Sequence, residues 1–247
     1  MGNPYPIIKL DATGSTNDYL RSILSAKTLE DYTVVITENQ FAGRGQRGNS
    51  WVSEPGKNLT FSFLKRDLTL NPQNHFILNM RVSLALHDAL TAIGIPGLAI
   101  KWPNDIMSGN SKICGILIEN LISGDQIRHS IIGIGLNVNQ TNFGNLKHVS
   151  SLRNSTKKEF DLFYLLGVLM KHLQNRLATL SNNSFLTDKT EYESRLFRKG
   201  QIFSFEDPEG QKFPGVIMGV APTGQLMLQL EDGQQNQYDF KMLRFVF

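Results

Sequence analysis

The chain of 247 residues has one cysteine, Cys114, so no intrachain disulfide framework holds it together. It has no apolar stretch of the roughly 20 residues that cross a bilayer. Its first ten residues, MGNPYPIIKL, offer neither the basic segment nor the apolar segment of a secretory leader. These absences lead us to expect a cytoplasmic protein without membrane contact. Charge of one sign is scarce too: the formal net charge is +3, and no basic run concentrates it. That excludes a general nucleic-acid binder, so an anionic ligand must be held by a few local groups. Internal repeats and low-complexity segments are absent, and so is GxxxxGK[ST], the phosphate-binding P-loop pattern.

The most conspicuous stretch is ENQFAGRGQRGNSW, residues 38–51. Gly43, Gly45 and Gly48 alternate with Arg44, Gln46 and Arg47, so backbone and guanidinium groups can approach a phosphorylated ligand together. Apolar, β-rich runs lie on either side, TVVITE (33–38) and LTFSFLK (59–65), so the loop joins two strands. Without a helix directly after the glycines, the loop does not read as a dinucleotide fingerprint. Trp51 closes it, either as a core aromatic or as a flat surface for a base.

Upstream, a short strand at 7–10 leads to GSTNDYLRSIL, where Ser15 and Asp18 fit a capping box and Tyr19, Leu20, Ile23 and Leu24 recur at helical spacing. Ser15 and Thr16 serve either as cap alone or as hydroxyl groups facing a polar ligand beside free N–H groups. Residues 73–93 read as a buried scaffold helix stopped by Gly94, with His87 a packed residue rather than a ligand. The stretch IPGLAIKWPNDIM gives a strand at 98–100, then Lys101 and a proline turn. A lysine ending an apolar strand calls for an anionic partner unless its ammonium reaches water. SKICGILIEN and IRHSIIGIGLNVNQ then read as two strands joined at SGDQ, a hairpin carrying Gly115, Gly133 and Gly135. Cys114 reads as a small hydrophobe.

Farther on, Phe163, Leu166, Met170, Leu173, Leu177 and Leu180 form one apolar stripe on a long helix beginning near Lys158. SNNS breaks it, and a more polar helix covers 185–196. After Lys199 and Gly200, turn signals at DPEG, APTG and EDG and the alternation of Leu226, Leu228 and Leu230 indicate a small antiparallel β-module. It has four Lys or Arg against six Asp or Glu, which does not suit nucleic acid.

Four motifs now stand in order: GSTN, NQFAGRGQRGNSW, KWPNDI with SKICGILIE, and IIGIGLNVN. Together they resemble the catalytic domain of biotin protein ligases, by motif from residue 8 to 139 and by layout to the end of the chain. The resemblance implies an α+β fold, a mixed β-sheet flanked by helices as in class II aminoacyl-tRNA synthetases (residues 1–198), with a small C-terminal SH3-like β-barrel (199–247). It implies ATP-dependent activation of biotin to biotinyl-5′-AMP, with Mg2+, followed by transfer to a lysine of a biotin carboxyl carrier protein. Residues matching Ser15, Thr16 and Gln40 hydrogen-bond the ureido head of biotin, with Asn17 and Gly43 in the same set and Gly115 flanking the rings. Lys101 and Arg44 are implied as the catalytic cations at the carboxylate and phosphate. Trp51 packs beside adenine, and Gln46, Arg47, Asn104, Lys112 and Asn137 belong to the nucleotide side, with Asp105 as a metal ligand.

Many family members have arginine at the position of Gln46, where it helps retain the adenylate; here Arg47 substitutes or the intermediate is held less tightly. Some relatives carry an N-terminal DNA-binding domain. GSTN begins here at Gly14, so a monofunctional enzyme, monomer or homodimer, is expected. The alternatives are a lipoate-type ligase, whose pocket suits an apolar dithiolane, and a non-catalytic biotin-binding regulator.

Overall fold

The computed structural model describes residues 5–180 and 184–247, without the side chain of Arg47. The break expected at SNNS therefore falls largely outside the described residues. A seven-stranded mixed sheet forms the larger part. Strand β1 (Ile7–Thr13) crosses through helix α1 (Thr16–Ala26) to β2 (Val34–Gln40), and the crossover makes that pair parallel. All other pairs are antiparallel: β3 (Leu59–Lys65), β4 (Leu98–Lys101), β5 (Asp105–Ser108), β6 (Ser111–Ser123) and β7 (Gln126–Leu136) complete the order β1-β2-β3-β7-β6-β5-β4.

Alternation along the strands separates the two faces. Phe61, Phe63, Ile132 and Ile134 belong to the main core with helix α2 (Phe76–Ala92), while Val35, Leu64 and Ile131 pack with Leu20 of α1 in a smaller cluster. Burying each such side chain contributes about 1.5–3 kcal/mol. Helix α2 is buried on most sides, preceded by a 3-10 turn at Pro72–Asn74 and stopped at Gly94, which adopts φ +78°. Behind it lie α4 (Leu162–Ala178) and α5 (Phe185–Ser194). A short α3 (Leu152–Thr156), unexpected from the sequence, precedes α4, and Asp161 caps α4 by accepting from Tyr164 N at 2.7 Å. That cap rotates the expected stripe: Leu165, Leu166, Leu169, Met170, Leu173 and Leu177 are buried, whereas Phe163 is 43% exposed.

The C-terminal strands β8 (Ile202–Glu206), β9 (Lys212–Val220), β10 (Leu226–Gln229), β11 (Gln235–Tyr238) and β12 (Arg244–Val246) form an antiparallel sheet in the order β11-β10-β9-β8-β12. Its outer strands are not paired with each other, so the strand ladder describes an open sheet rather than a closed barrel. Phe205, Ile217, Leu226 and Leu228 join the same core as α2. Trp102 Nε1 donates to Gly224 O at 2.8 Å, and Phe240 packs 5.2 Å from Trp102 and 6.0 Å from Phe76. No helix among the described residues is long and apolar enough to cross a membrane.

Candidate active site

Residues directly opposed across strands share a face of the sheet. One such row runs Thr37, Thr60, Gly135, Gly115, Asp105, Lys101 from β2 to β4. A second row, Ser62, Gly133 and Leu117, lies one pleat along on the face covered by α1. Glycines thus open a trough between polar ends. What rests in it requires their missing side chains: a Cβ at Gly133 would stand 2.4 Å from Asn17 Oδ1, and one at Gly135 would stand 2.4 Å from Trp51 Cε2.

The blind end is polar and already ordered. Ser15 caps α1, its Oγ accepting from Asp18 N at 3.4 Å, and it also lines the trough. Gln40 Oε1 accepts from Thr16 N at 2.9 Å and lies 3.2 Å from Thr16 Oγ1. Ser62 Oγ lies 2.7 Å from Thr16 Oγ1 and 2.5 Å from Asn17 Oδ1, while Asn17 Nδ2 donates to Glu119 Oε2 at 2.8 Å. Sequence reading passed over Ser62 and Glu119. Their signal was a polar residue interrupting an apolar strand, TFSFL and ILIEN.

The glycine loop is a tight hairpin above the trough. Trp51 N donates to Gly43 O at 2.9 Å, Gly45 N to Asn49 O at 2.6 Å, and a 3-10 turn at Gln46–Gly48 forms its tip. Gly43 does not line the trough. A Cβ there would meet Trp51 O at 2.4 Å and Gln40 Nε2 at 2.5 Å, so its part is to close the hairpin. Arg44 latches the loop, its guanidinium on the carboxylates of Asp18 and of Glu119, the latter at 3.3 Å. The Trp51 indole lies on Gly135 and beside Gly115, with its Nε1 buried and unpartnered. Only about 50 Å³ of the trough stays free. Gln46 lines both the trough and a neighbouring groove of about 630 Å³ shared with Leu117, Phe240 and Lys241. The side chain of Arg47, expected on the nucleotide side, lies outside the described residues.

The cationic end separates the two expected lysines. Lys112, not Lys101, lines the trough: its Nζ is 2.7 Å from Asp105 Oδ1, 5.6 Å from the Trp51 ring, and 3.1 Å from where a Gly115 Cβ would be. Simple alternation would put Lys112 and Gly115 on opposite faces. The irregularity between Ile106 and Met107 makes Met107 oppose Lys112, which turns Lys112 to the face of Asp105. Lys101 does not line the trough, and its Nζ sits 5.0 Å and 5.2 Å from the rings of Phe245 and Phe247. Burial holds its ammonium below the ordinary lysine range; Asp105 opposes that shift and Lys112 adds to it.

Asn104 lines the trough, with its Nδ2 donating to Ile116 O. Asn137 does not: it clamps the end of β7, its N donating to Ile113 O at 2.8 Å and its Nδ2 to Ser150 O at 3.0 Å. Cys114 is buried on the core face, where burial pushes its thiol pKa up. Among the described residues no group of three His, Cys, Asp or Glu could hold a metal, and Asp105 is the one carboxylate at this end of the row. A single carboxylate suits Mg2+ arriving on a polyphosphate better than a resident ion.

Comparison with known proteins agrees with this arrangement. The chain is 29% identical over 237 residues to a biotin–[acetyl-CoA-carboxylase] ligase of Paracoccus denitrificans, spanning 92% of this chain and 95% of that protein. It is 28% identical over 239 residues to the bifunctional ligase/repressor BirA of Bacillus spizizenii, spanning 94% of this chain and 72% of that one. Among solved structures, the biotin protein ligase of Aquifex aeolicus in complex with biotin and ATP superposes with a TM-score of 0.79, at 27% identity and with 98% and 99% of the two chains covered. Residues 10–137 match the Biotin/lipoate A/B protein ligase family. That segment contains every residue lining the trough, and the chain belongs to this family.

Proposed function

We propose that the chain is a biotin protein ligase, joining biotin to ATP to give biotinyl-5′-AMP and pyrophosphate, then passing biotin to a lysine of a biotin carboxyl carrier domain. The observation that carries this reading is the polarity of the trough: a blind end of Thr16, Gln40, Asn17 and Ser62 and a cation, Lys112, at the other end. A bicyclic urea needs hydrogen-bond partners at one end and its carboxylate needs a cation at the other. Lipoate's dithiolane offers those polar groups no hydrogen bond in exchange, and a site built for hydrogen bonding rejects a ligand that lacks the matching groups by several orders of magnitude. The biotin- and carboxylase-ligase names of the relatives support the same choice.

Ligand pockets typically hold about 300–1,000 Å³. With about 50 Å³ free, the trough admits biotin only when the Trp51 indole leaves Gly135. The displaced ring is then placed to stack on the adenine. The biotin carboxylate oxygen attacks the α-phosphate, and charge grows on the phosphate oxygens. Lys112 stabilises that charge, joined by Arg44 once ligand draws it from Asp18 and Glu119. Asn104 lies on the nucleotide side, and Asp105 is the carboxylate for the Mg2+ of the MgATP substrate. Closure of the hairpin keeps water from the acyl adenylate until the carrier lysine attacks its carbonyl and AMP leaves.

In this reading residues 1–198 form the catalytic domain and 199–247 an SH3-like module. Its loop 239–242 stands across the groove from Gln46, where a carrier domain would approach. The test is biotin-dependent exchange of labelled pyrophosphate into ATP. Wild type exchanges with biotin and not with lipoate, and Lys112→Ala loses about a hundredfold or more. Absence of exchange in folded wild type, or exchange with lipoate in place of biotin, overturns the reading.

A further inference from the structure

Helix α1 begins in the trough at Thr16 and ends about 16 Å away at Ala26, beside a second groove. This groove holds about 580 Å³ and is lined by Arg21, Leu24 and Lys27 on the helix side and by Arg66, Leu121 and His129 on the sheet side. Leu121 and His129 oppose each other on β6 and β7, and Arg66 directly follows β3, whose Lys65 opposes Ser130. None of the lining residues is acidic. Neither Lys27 nor the Arg66 guanidinium joins an ion pair among the described residues; Arg66 donates one N–H to Leu29 O, which leaves most of its fork unused. The neighbouring Asp31 is occupied, one oxygen accepting from Arg66 N at 2.7 Å and the other from Lys65 Nζ.

These cations outweigh the roughly half negative charge at the end of α1. Three leucines, Leu24, Leu29 and Leu121, lie among them, so the groove offers charge and apolar surface together. A guanidinium fork suits carboxylate and phosphate alike, and the volume is within the roughly 300–1,000 Å³ of ligand pockets. An inorganic anion would use only half of such a lining.

Arg21 joins this groove to the trough. It lies one helical turn beyond Asn17, and its Nη2 is 3.2 Å from Glu119 Oε1, the oxygen that also lies 3.3 Å from Arg44. The other Glu119 oxygen holds Asn17 Nδ2 at 2.8 Å. An anion in the groove competes with Glu119 for Arg21. Once Arg21 turns to that anion, the Glu119 carboxylate is left to Arg44, and the hairpin latch resists the opening that biotin requires.

We propose that the groove binds an amphiphilic anion, a carboxylate or phosphate ester on an alkyl chain, and that its occupancy tightens the Arg44 latch and weakens biotin binding. The coupling rests on the ligase reading above; the anion site stands on the groove alone.

The experiment measures calorimetric binding of octanoate, octyl phosphate, octanol and inorganic phosphate to wild type, Lys27→Met, Arg66→Met and the double variant. Octanoate and octyl phosphate are expected to bind, the tighter of the two identifying the head group, with octanol and inorganic phosphate at least about tenfold weaker. Each single variant loses about tenfold, one charge-assisted contact. Lys27 is exposed, so its variant reports on the groove even where Arg66→Met loses stability. Equal octanoate affinity of wild type and the double variant, or equal affinity of wild type for octanoate and inorganic phosphate, overturns the site. The dissociation constant of biotin is expected to rise about threefold to fivefold with saturating octanoate, the scale of a partly exposed ion pair, and biotin weakens octanoate by the same factor. In Arg21→Met that linkage disappears. If wild type binds no biotin while octanoate still depends on Lys27 and Arg66, the ligase reading fails and the anion site stands; if biotin binds and octanoate leaves its constant unchanged, the coupling is overturned.

Discussion

Replacing Gly135 by alanine tests whether the Trp51 indole truly rests on the trough floor. The added Cβ would stand 2.4, 2.5 and 2.8 Å from Cε2, Cζ2 and Cδ2 of that ring. Carbon atoms prefer about 3.5–4.0 Å, so the ring must retreat by about 1 Å or more. A rigid indole tied by its own backbone to Gly43 cannot yield by a side-chain rotation alone, and the hairpin must lift with it. Overpacking of this kind costs about 1–3 kcal/mol, which for a chain of this length lowers the melting temperature by about 2–4 °C per kcal/mol. The chain has two tryptophans, and Trp102 is buried with its Nε1 bonded to Gly224 O, so a spectral change reports Trp51. Emission from Gly135→Ala should shift to longer wavelength and quench more readily with acrylamide, and biotin should no longer change it much. Wild-type emission, quenching and melting in the variant would refute the placement of the indole.

Other outcomes follow from the scaffold and the latch. Asp188→Ala leaves Arg81 buried without its 2.7 Å partner; a loss of about 3–5 kcal/mol in urea unfolding is expected, and a loss under 1 kcal/mol would contradict the pairing. Burial alone would raise the pKa of Asp88, but hydrogen bonds from Arg176 and Arg195 outweigh it, and those from Arg176 lower Glu191. Both carboxyls therefore titrate below their unfolded values. Their contribution is present above the unfolded carboxylate range near pH 4 and disappears as pH falls through the folded values; a urea series from pH 6 to 2.5 should show that slope reduced in Arg176→Met. Glu119→Ala frees Asn17 and one side of Arg44, so KM for biotin should rise about tenfold. Gln46→Arg should slow release of the adenylate, measured as its retention on a filter; an unchanged off-rate would dismiss that role for position 46.

Much of this was legible because local chemistry and global fold agree. Ser15 before an amphipathic run, glycines between two β-rich segments, and Gly115, Gly133 and Gly135 on a hairpin are all local signals, and the fold brings these residues to one trough. The two lysines, Lys101 and Lys112, show where such reading ends. Choosing between Lys101 and Lys112 needs the register of three strands and an irregularity at Ile106 and Met107, which shift a side chain from one face to the other without a mark in composition. The strand expected at 98–100 is β4, but β5 is four residues long, too short for alternation to stand out, so it went unread behind the proline turn. Phe163 appeared in the core because the cap at Asp161, which sets the phase of α4, was not recognised. The parts hardest to read, then, depend on partners far away in the chain.

The core has no seam where the chain has one. Phe76 at the start of α2 meets Tyr192 and Phe240, and a Cβ on Gly224 would stand 2.5 Å from its Cγ. Cutting after residue 198 would strip that ring, Trp102 and their neighbours of their cover and expose an oily wound on the remaining piece. Trimmed enzymes for tagging applications, or chimeras that exchange the terminal strands, should therefore keep Phe240 and the 221–224 turn with them. In a calorimeter the two sheets should melt as a single peak.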